Sequence, residues 1–109
     1  IERQKVLYQK TKEFLPKIGY KPRMFFGDGY AGLPTYAPFD KIIVTAGAPF
    51  IPQALKDQLK IGGIMVVPVG EDIQYMYTLR KTGDNTFEEK QHGMFRFVPL
   101  LGDKEDSGC

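Results

Sequence analysis

Cysteine and histidine are nearly absent from this chain of 109 residues: Cys109 is its single cysteine and His92 its single histidine. One cysteine excludes an intrachain disulfide, which fits a reducing compartment such as the cytoplasm. The two residues give no ligand cluster, so no metal site is expected. Neither a serine nor a cysteine sits in an elbow motif, and a triad built from this chain alone is not expected either. No apolar run approaches the roughly 20 residues of a membrane span. No secretory signal, internal repeat or low-complexity tract is visible.

What is present is a chain of one domain's length, 42% apolar and 13% aromatic, enough for a core. The formal net charge is only +2, but it is unevenly placed. Residues 1–23 hold seven lysines and arginines against Glu2 and Glu13, while the remainder holds eight against eleven acids. A basic first helix could touch nucleic acid or an acidic partner. A solvated helix face is the simpler reading, so neither nucleic acid nor a membrane is expected as a partner. Residues 103–109, Asp-Lys-Glu-Asp-Ser-Gly-Cys, lack apolar anchors and read as a flexible tail, leaving 1–102 as the folded part.

The most informative stretch is 38–70. An apolar run, Phe39–Ala46, leads into the small-residue loop Thr45–Pro49, then Ile51–Lys60, then Gly62-Gly63 and a second apolar run, Ile64–Val69. That order is strand, loop, short helix, glycine stop, strand, which is one βαβ unit of a parallel sheet. Pro52 suits the first turn of the helix, and Gly62-Gly63 suits a left-handed stop after it. The unbroken Ile42-Ile43-Val44 suggests a strand buried on both faces. Ligands in such sheets sit beyond the carboxyl ends of the strands, which here means the Thr45–Pro49 loop.

On either side the pattern is coarser. Residues 2 to about 15 read as a helix with Leu7, Phe14 and Ile18 on one face, ended by Pro16 and Gly19. Arg23–Phe26 reads as a short strand and residues 30–38 as loop. Gln74–Arg80 alternates, as a half-exposed antiparallel strand does. Gly83-Asp84-Asn85 is a turn, Phe87–Lys90 starts another strand, and Met94–Pro99 alternates again. A parallel sheet with an antiparallel hairpin at one edge accommodates all of these.

Gly27-Asp28-Gly29-Tyr30-Ala31-Gly32 matches the dinucleotide fingerprint in letters only. That motif must open a helix whose N-terminus holds a pyrophosphate, and Leu33, Pro34 and Pro38 do not begin one. The better functional reading is a turn whose Asp28 accepts hydrogen bonds from a ligand amine; the plain one is that Asp28 caps its own turn. His92 reads as a turn residue beside Gly93. Glu71 and Asp72 follow a strand end, within reach of a ligand or simply solvated.

Taken in order, Gly27-Asp28-Gly29, Pro38-Phe39-Asp40, Val44 to Pro49, Gln58-Leu59-Lys60, Gly62-Gly63, Pro68 to Glu71 and Arg96 to Leu100 resemble the protein-L-isoaspartate (D-aspartate) O-methyltransferase family. The resemblance runs from Glu2 to Leu101. It implies a Rossmann-like fold and an enzyme that uses S-adenosylmethionine to methylate isoaspartyl carboxyls in damaged proteins, a repair reaction. It further implies that Glu2 holds the cofactor's ribose hydroxyls, as a carboxylate suits a vicinal diol. Asp28 with Gly29 would read the adenine edge. Thr45, Ala46, Gly47, Ala48 and Pro49 would line the transfer site on the substrate side. Val98 would lie beside substrate and Leu101 beside cofactor. No catalytic residue is assigned.

The same resemblance implies a partial α/β fold. The family's first strand, its G-x-G-x-G loop and the segment gripping the substrate carboxylate have no counterpart here, so the chain corresponds to the family's C-terminal portion. The family's first strand lies centrally, between the second and the fourth. Without it two sheet edges stay unpaired, at about 1–3 kcal/mol for each buried unmade hydrogen bond against a total stability of about 5–15 kcal/mol. The chain alone is therefore expected to be inactive and prone to edge pairing or strand swapping between copies. Two other readings stay open: an S-adenosylmethionine-dependent methyltransferase with another acceptor, and a non-enzymatic binding module that docks through its basic helix.

Overall fold

The computed structural model describes residues 1–103; the rest of the expected tail, 104–109, lies outside the described residues. The chain forms two compact units, one of Ile1–Gly29 with residues 101–103, the other of Tyr30–Leu100.

The first unit is built on helix α1, Lys5–Lys17. It starts three residues later than its periodicity suggests because Glu2 is held in extended backbone: Glu2 N–H donates to Phe25 O and Gly27 N–H to Glu2 O, both at 3.0 Å. The strand expected at Arg23–Phe26 is only this single parallel bridge, Glu2 with Phe26. One peptide offers two hydrogen bonds and no ladder to extend. At the other end, Pro16 does not stop the helix. Its missing N–H forfeits one bond, to Lys12 O; the helix runs one residue further and the chain turns at Gly19, φ +92°, where the N–H groups of Ile18 and Tyr20 reach back to Leu15 O. The apolar stripe is present but uncovered: Leu7, Phe14 and Ile18 are all exposed, and α1 buries no residue.

The second unit is a four-stranded sheet in the order β1-β2-β3-β4. Strand β1, Phe39–Ile43, runs parallel to β2, Leu59–Val69. Strands β3, Gln74–Lys81, and β4, Phe87–Phe95, continue antiparallel. The parallel pair with an antiparallel hairpin along one side is thus as the alternation suggests. Met65, Val67 and Leu79 are fully buried, and with Ala48, Leu55 of helix α2 (Gln53–Gln58) and Leu59 they form the core. Ile42 and Val44 pack against that core. Ile43, one residue out of phase, points the other way and is 73% exposed, so the reading of β1 as buried on both faces is corrected. Among the described strands, β1 is paired on one side only.

Several expected boundaries move, each for a local reason. The helix ends at Gln58, and Gly62-Gly63 lie inside β2 rather than stopping the helix. They form a bulge: two residues along β1, from Phe39 to Lys41, the partner on β2 moves five, from Leu59 to Ile64. Gly62 takes φ +88° there, a conformation disfavoured for other residues. The helix stop comes instead from Lys81, 7% exposed, whose Nζ donates to Lys56 O at 3.0 Å and Asp57 O at 3.4 Å. A cation on the last carbonyls satisfies the orphan acceptors and matches the helix dipole. Strand β4 already includes Met94 and Phe95, and residues 96–100 leave the sheet, so no separate strand spans Met94–Pro99. His92 is a strand residue, not a turn residue, with Nε2 3.0 Å from Thr78 Oγ1. The turn beside it is a bulge at Gly93, skipped between the pairs Tyr75–Met94 and Met76–His92.

Candidate functional site

The carboxyl ends of β1 and β2 lie side by side because the two strands are parallel, and the backbone extends the ladder beyond them. Ala48 N–H donates to Pro68 O at 2.9 Å, and Gly70 N–H donates to Ala48 O at 2.8 Å. On its other side the same loop takes up residues 98–100: Gly47 N–H donates to Val98 O at 2.6 Å and Leu100 N–H to Gly47 O at 2.8 Å. Gly47-Ala48 is therefore a short inserted strand, bonded along both edges. An open cleft of about 460 Å³ lies over it, walled by Tyr30, Gly47, Pro49, Glu71, Arg96 and Phe97 among others.

Each wall has an anchor. Tyr30 donates its hydroxyl proton to Leu100 O at 3.1 Å, and its ring lies 6.0 Å from that of Phe50. The segment carrying Tyr30 is held from below by the largely buried Gln58, whose Oε1 accepts from Leu33 N–H at 2.8 Å and whose Nε2 donates to Ala31 O at 2.9 Å. On the opposite wall the fully buried Gln74 accepts from Phe97 N–H at 2.6 Å and donates to Glu71 O at 2.8 Å. Gly47 has no room for a side chain: a Cβ there would fall 2.6 Å from the Gln74 amide carbon. The cleft is thus a shaped trough lined by Tyr30, Gly47, Pro49 and Phe97, with charges at its rim, Glu71, Asp72 and Arg96, all exposed. Among the described residues, no group of three His, Cys, Asp or Glu side chains is placed to hold a metal ion.

The residues singled out from sequence divide between the two units. Gly47 and Pro49 line the cleft. Ala48 is fully buried and does not line the cleft; nor do Thr45 and Ala46, which lie on the approach from β1. Val98 does not line the cleft; its side chain is 71% exposed and its contribution is the carbonyl that receives Gly47 N–H. In the first unit, the two backbone bonds to Glu2 set it beside Gly27, one residue from Asp28 and two from Gly29. The Glu2 carboxylate accepts from Gln4 N–H at 3.0 Å through one oxygen. Gly29 opens a single 3₁₀ turn, Gly29–Ala31, so the glycine pattern there heads no α-helix. Leu101 is 49% exposed. Tyr30, Phe97 and the two buried glutamines have no site role in the sequence reading, although Gln58 and Phe97 fall within stretches that resemble the family. Phe97 and Gln74 sit in alternating stretches where nothing local separates a wall residue from a surface one.

A parallel strand pair, an antiparallel hairpin beside it, and a cleft off the carboxyl ends define the C-terminal portion of a Rossmann-like methyltransferase fold. A profile of the family described as Protein-L-isoaspartate(D-aspartate) O-methyltransferase matches residues 1–105, and the chain belongs to that family. It is 57% identical over 105 residues to the protein-L-isoaspartate O-methyltransferase of Christiangramia forsetii, covering 95% of this chain and 49% of that protein. The Flavobacterium johnsoniae protein of the same name is 56% identical with the same coverage. The chain spans about half the length of these curated relatives. A solved protein-L-isoaspartate O-methyltransferase superposes with a TM-score of 0.79 at 27% identity, over 90% of this chain and 32% of that one. A Plasmodium falciparum structure, crystallised with S-adenosyl-L-homocysteine, shares the fold at a TM-score of 0.75 and 24% identity, over 92% of this chain and 50% of its own.

Proposed function

We propose that this chain is the C-terminal portion of a protein-L-isoaspartate O-methyltransferase, which transfers a methyl group from S-adenosylmethionine to the carboxyl of isoaspartyl residues in damaged proteins. The observation that carries the reading is the cleft over Gly47, at the carboxyl edge of β1, in a chain of this family. Its chemistry suits the reaction. An acceptor carboxylate, with an ordinary pKa of about 4, is already ionised at neutral pH and needs no general base. What remains for the protein is to hold the oxygen in line with the methyl group and to exclude water. A trough whose carboxylates, Glu71 and Asp72, sit exposed at its rim is adequate for that, and no catalytic side chain is assigned.

Glu2 and Asp28 fit the cofactor's polar edges. Hydrogen bonds to backbone fix Glu2 next to Gly27, and a carboxylate with one oxygen engaged still has lone pairs for a ribose diol. Asp28, carried on the following turn with Gly29, has the acceptor an adenine amine requires. When bound, S-adenosylmethionine would supply an electrophilic methyl group, with Glu2 holding its ribose and Asp28 its adenine end. In this reading Pro49 and the 97–100 segment shape the acceptor wall, with Leu101 nearer the cofactor. The outer edge of β1 and the uncovered stripe of α1 would be completed by the half of the family fold to which no residue here corresponds. Pairing of two copies through that edge is the alternative cover. No helix among the described residues is long and apolar enough to cross a membrane.

The test is label transfer. The chain fused behind the N-terminal half of the Christiangramia forsetii relative should move a tritiated methyl group from S-adenosylmethionine to an isoaspartyl peptide and not to the same peptide with normal aspartate. A folded, cofactor-binding fusion that ignores the isoaspartyl peptide would point to a different acceptor. Affinity for nucleic acid that falls steeply with salt, without methyl transfer, would favour the binding-module reading.

A further inference from the structure

Gln74, the first residue of β3, has no exposed surface. An uncharged amide is costly to bury unless both of its ends are bonded. Here both ends are, to backbone in two separate segments: Oε1 accepts from Phe97 N–H at 2.6 Å, and Nε2 donates to Glu71 O at 2.8 Å. Its amide carbon also packs against Gly47 so closely that a Cβ at that position would lie 2.6 Å away. Gly47 follows β1, Glu71 follows β2 and Phe97 follows β4. All three line the cleft, whereas Gln74 does not. Glu71 and Phe97 belong to no strand, so a single side chain joins three walls that the sheet ladder leaves to irregular backbone.

We infer that Gln74 is a positioning residue of the acceptor cleft: its buried amide latches the Glu71 and Phe97 segments to each other across Gly47 and so fixes the shape of the trough that receives the peptide. The inference rests on the reading of that cleft as the acceptor site. An apolar side chain would fill the same core position without needing partners; an amide there makes the two loops move together or not at all. The latch touches acceptor walls only, so its loss should act on the peptide substrate and leave cofactor binding alone.

The experiment uses the same fusion with Gln74→Met, which keeps length and bulk but can neither donate nor accept strongly, and Gln74→Glu, which keeps the acceptor for Phe97 N–H and loses the donor to Glu71 O. Measured well below melting, Gln74→Met should lower kcat/KM for the isoaspartyl peptide about tenfold or more, as misplacement of a substrate wall does. Affinity for S-adenosylhomocysteine should stay within about twofold, and Gln74→Glu, which sets a buried carboxylate oxygen against Glu71 O, should lose at least as much as methionine. If both variants melt earlier but keep wild-type kcat/KM when folded, Gln74 is only a stabilising core residue and the inference is overturned. Amide exchange at Phe97 in the wild-type fusion gives a second, independent reading, which stands even if the methionine variant fails to fold. Protection there supports the latch, and exchange as fast as in an open loop contradicts it. An inactive wild-type fusion with a protected Phe97 amide would sink the methyltransferase assignment while leaving the latch in place.

Discussion

The 109-residue chain on its own is expected to transfer no methyl group to an isoaspartyl peptide and to bind S-adenosylmethionine only weakly, while the fusion to a relative's N-terminal half is active. The two halves of this expectation have different causes. Methyl transfer needs donor and oxygen in line at near-contact distance, and misalignment removes most of the advantage of holding them together. The chain supplies one wall, over Gly47, and by family resemblance not the glycine-rich loop that cradles the methionine part of the cofactor. Affinity should suffer likewise, because Glu2 and Asp28 address only the ribose and adenine ends. Calorimetry with the purified chain and a label-transfer assay together decide it. Micromolar binding or robust turnover by the chain alone would show that the active site has been placed wrongly.

Asp28→Ala in the active fusion should weaken S-adenosylmethionine binding by about 1–3 kcal/mol, the scale of a lost charge-assisted hydrogen bond, or roughly five- to 140-fold in Kd. The fold should survive. Asp28 is half-buried on a turn between Gly27 and Gly29, at the edge of the backbone bridge to Glu2, and removing its carboxylate leaves the bridge's two backbone bonds untouched. The opposite pattern, a large fall in melting temperature with unchanged affinity per folded molecule, would make Asp28 a cap of its own turn and withdraw its role toward the adenine.

The parts of the fold legible in the sequence are those written by local rules. Period-two alternation marked β3, unbroken apolar runs marked β1 and β2, and the loop after β1 was expected at the sheet's carboxyl edge, where Gly47 and Pro49 now line a cleft. Local rules failed where the deciding partner was distant. Gly62-Gly63 look like a helix stop, yet Lys81, 25 and 24 residues from the carbonyls it caps, stops α2 and frees the glycines for a bulge. Ile43 reads as core by composition, but one step of strand phase turns it away from the core. Buried polar residues were the least legible. Gln74 reaches Phe97, 23 residues on, and Gln58 reaches Leu33, 25 residues back; in the sequence each looks like any surface glutamine. The walls of the candidate site depend on those residues, which is why its loop could be placed from sequence and its shape could not.

The central claim is that the isoaspartyl carboxyl is received over Gly47. It is tested most directly by backbone amide shifts in the isotope-labelled fusion, saturated with S-adenosylhomocysteine, as an isoaspartyl peptide is titrated in. The largest changes should fall at Gly47, Ala48, Phe97 and Leu100, with none of comparable size when the aspartyl peptide is used. Changes centred on β4 or on α1, or equal responses to the two peptides, would contradict the account.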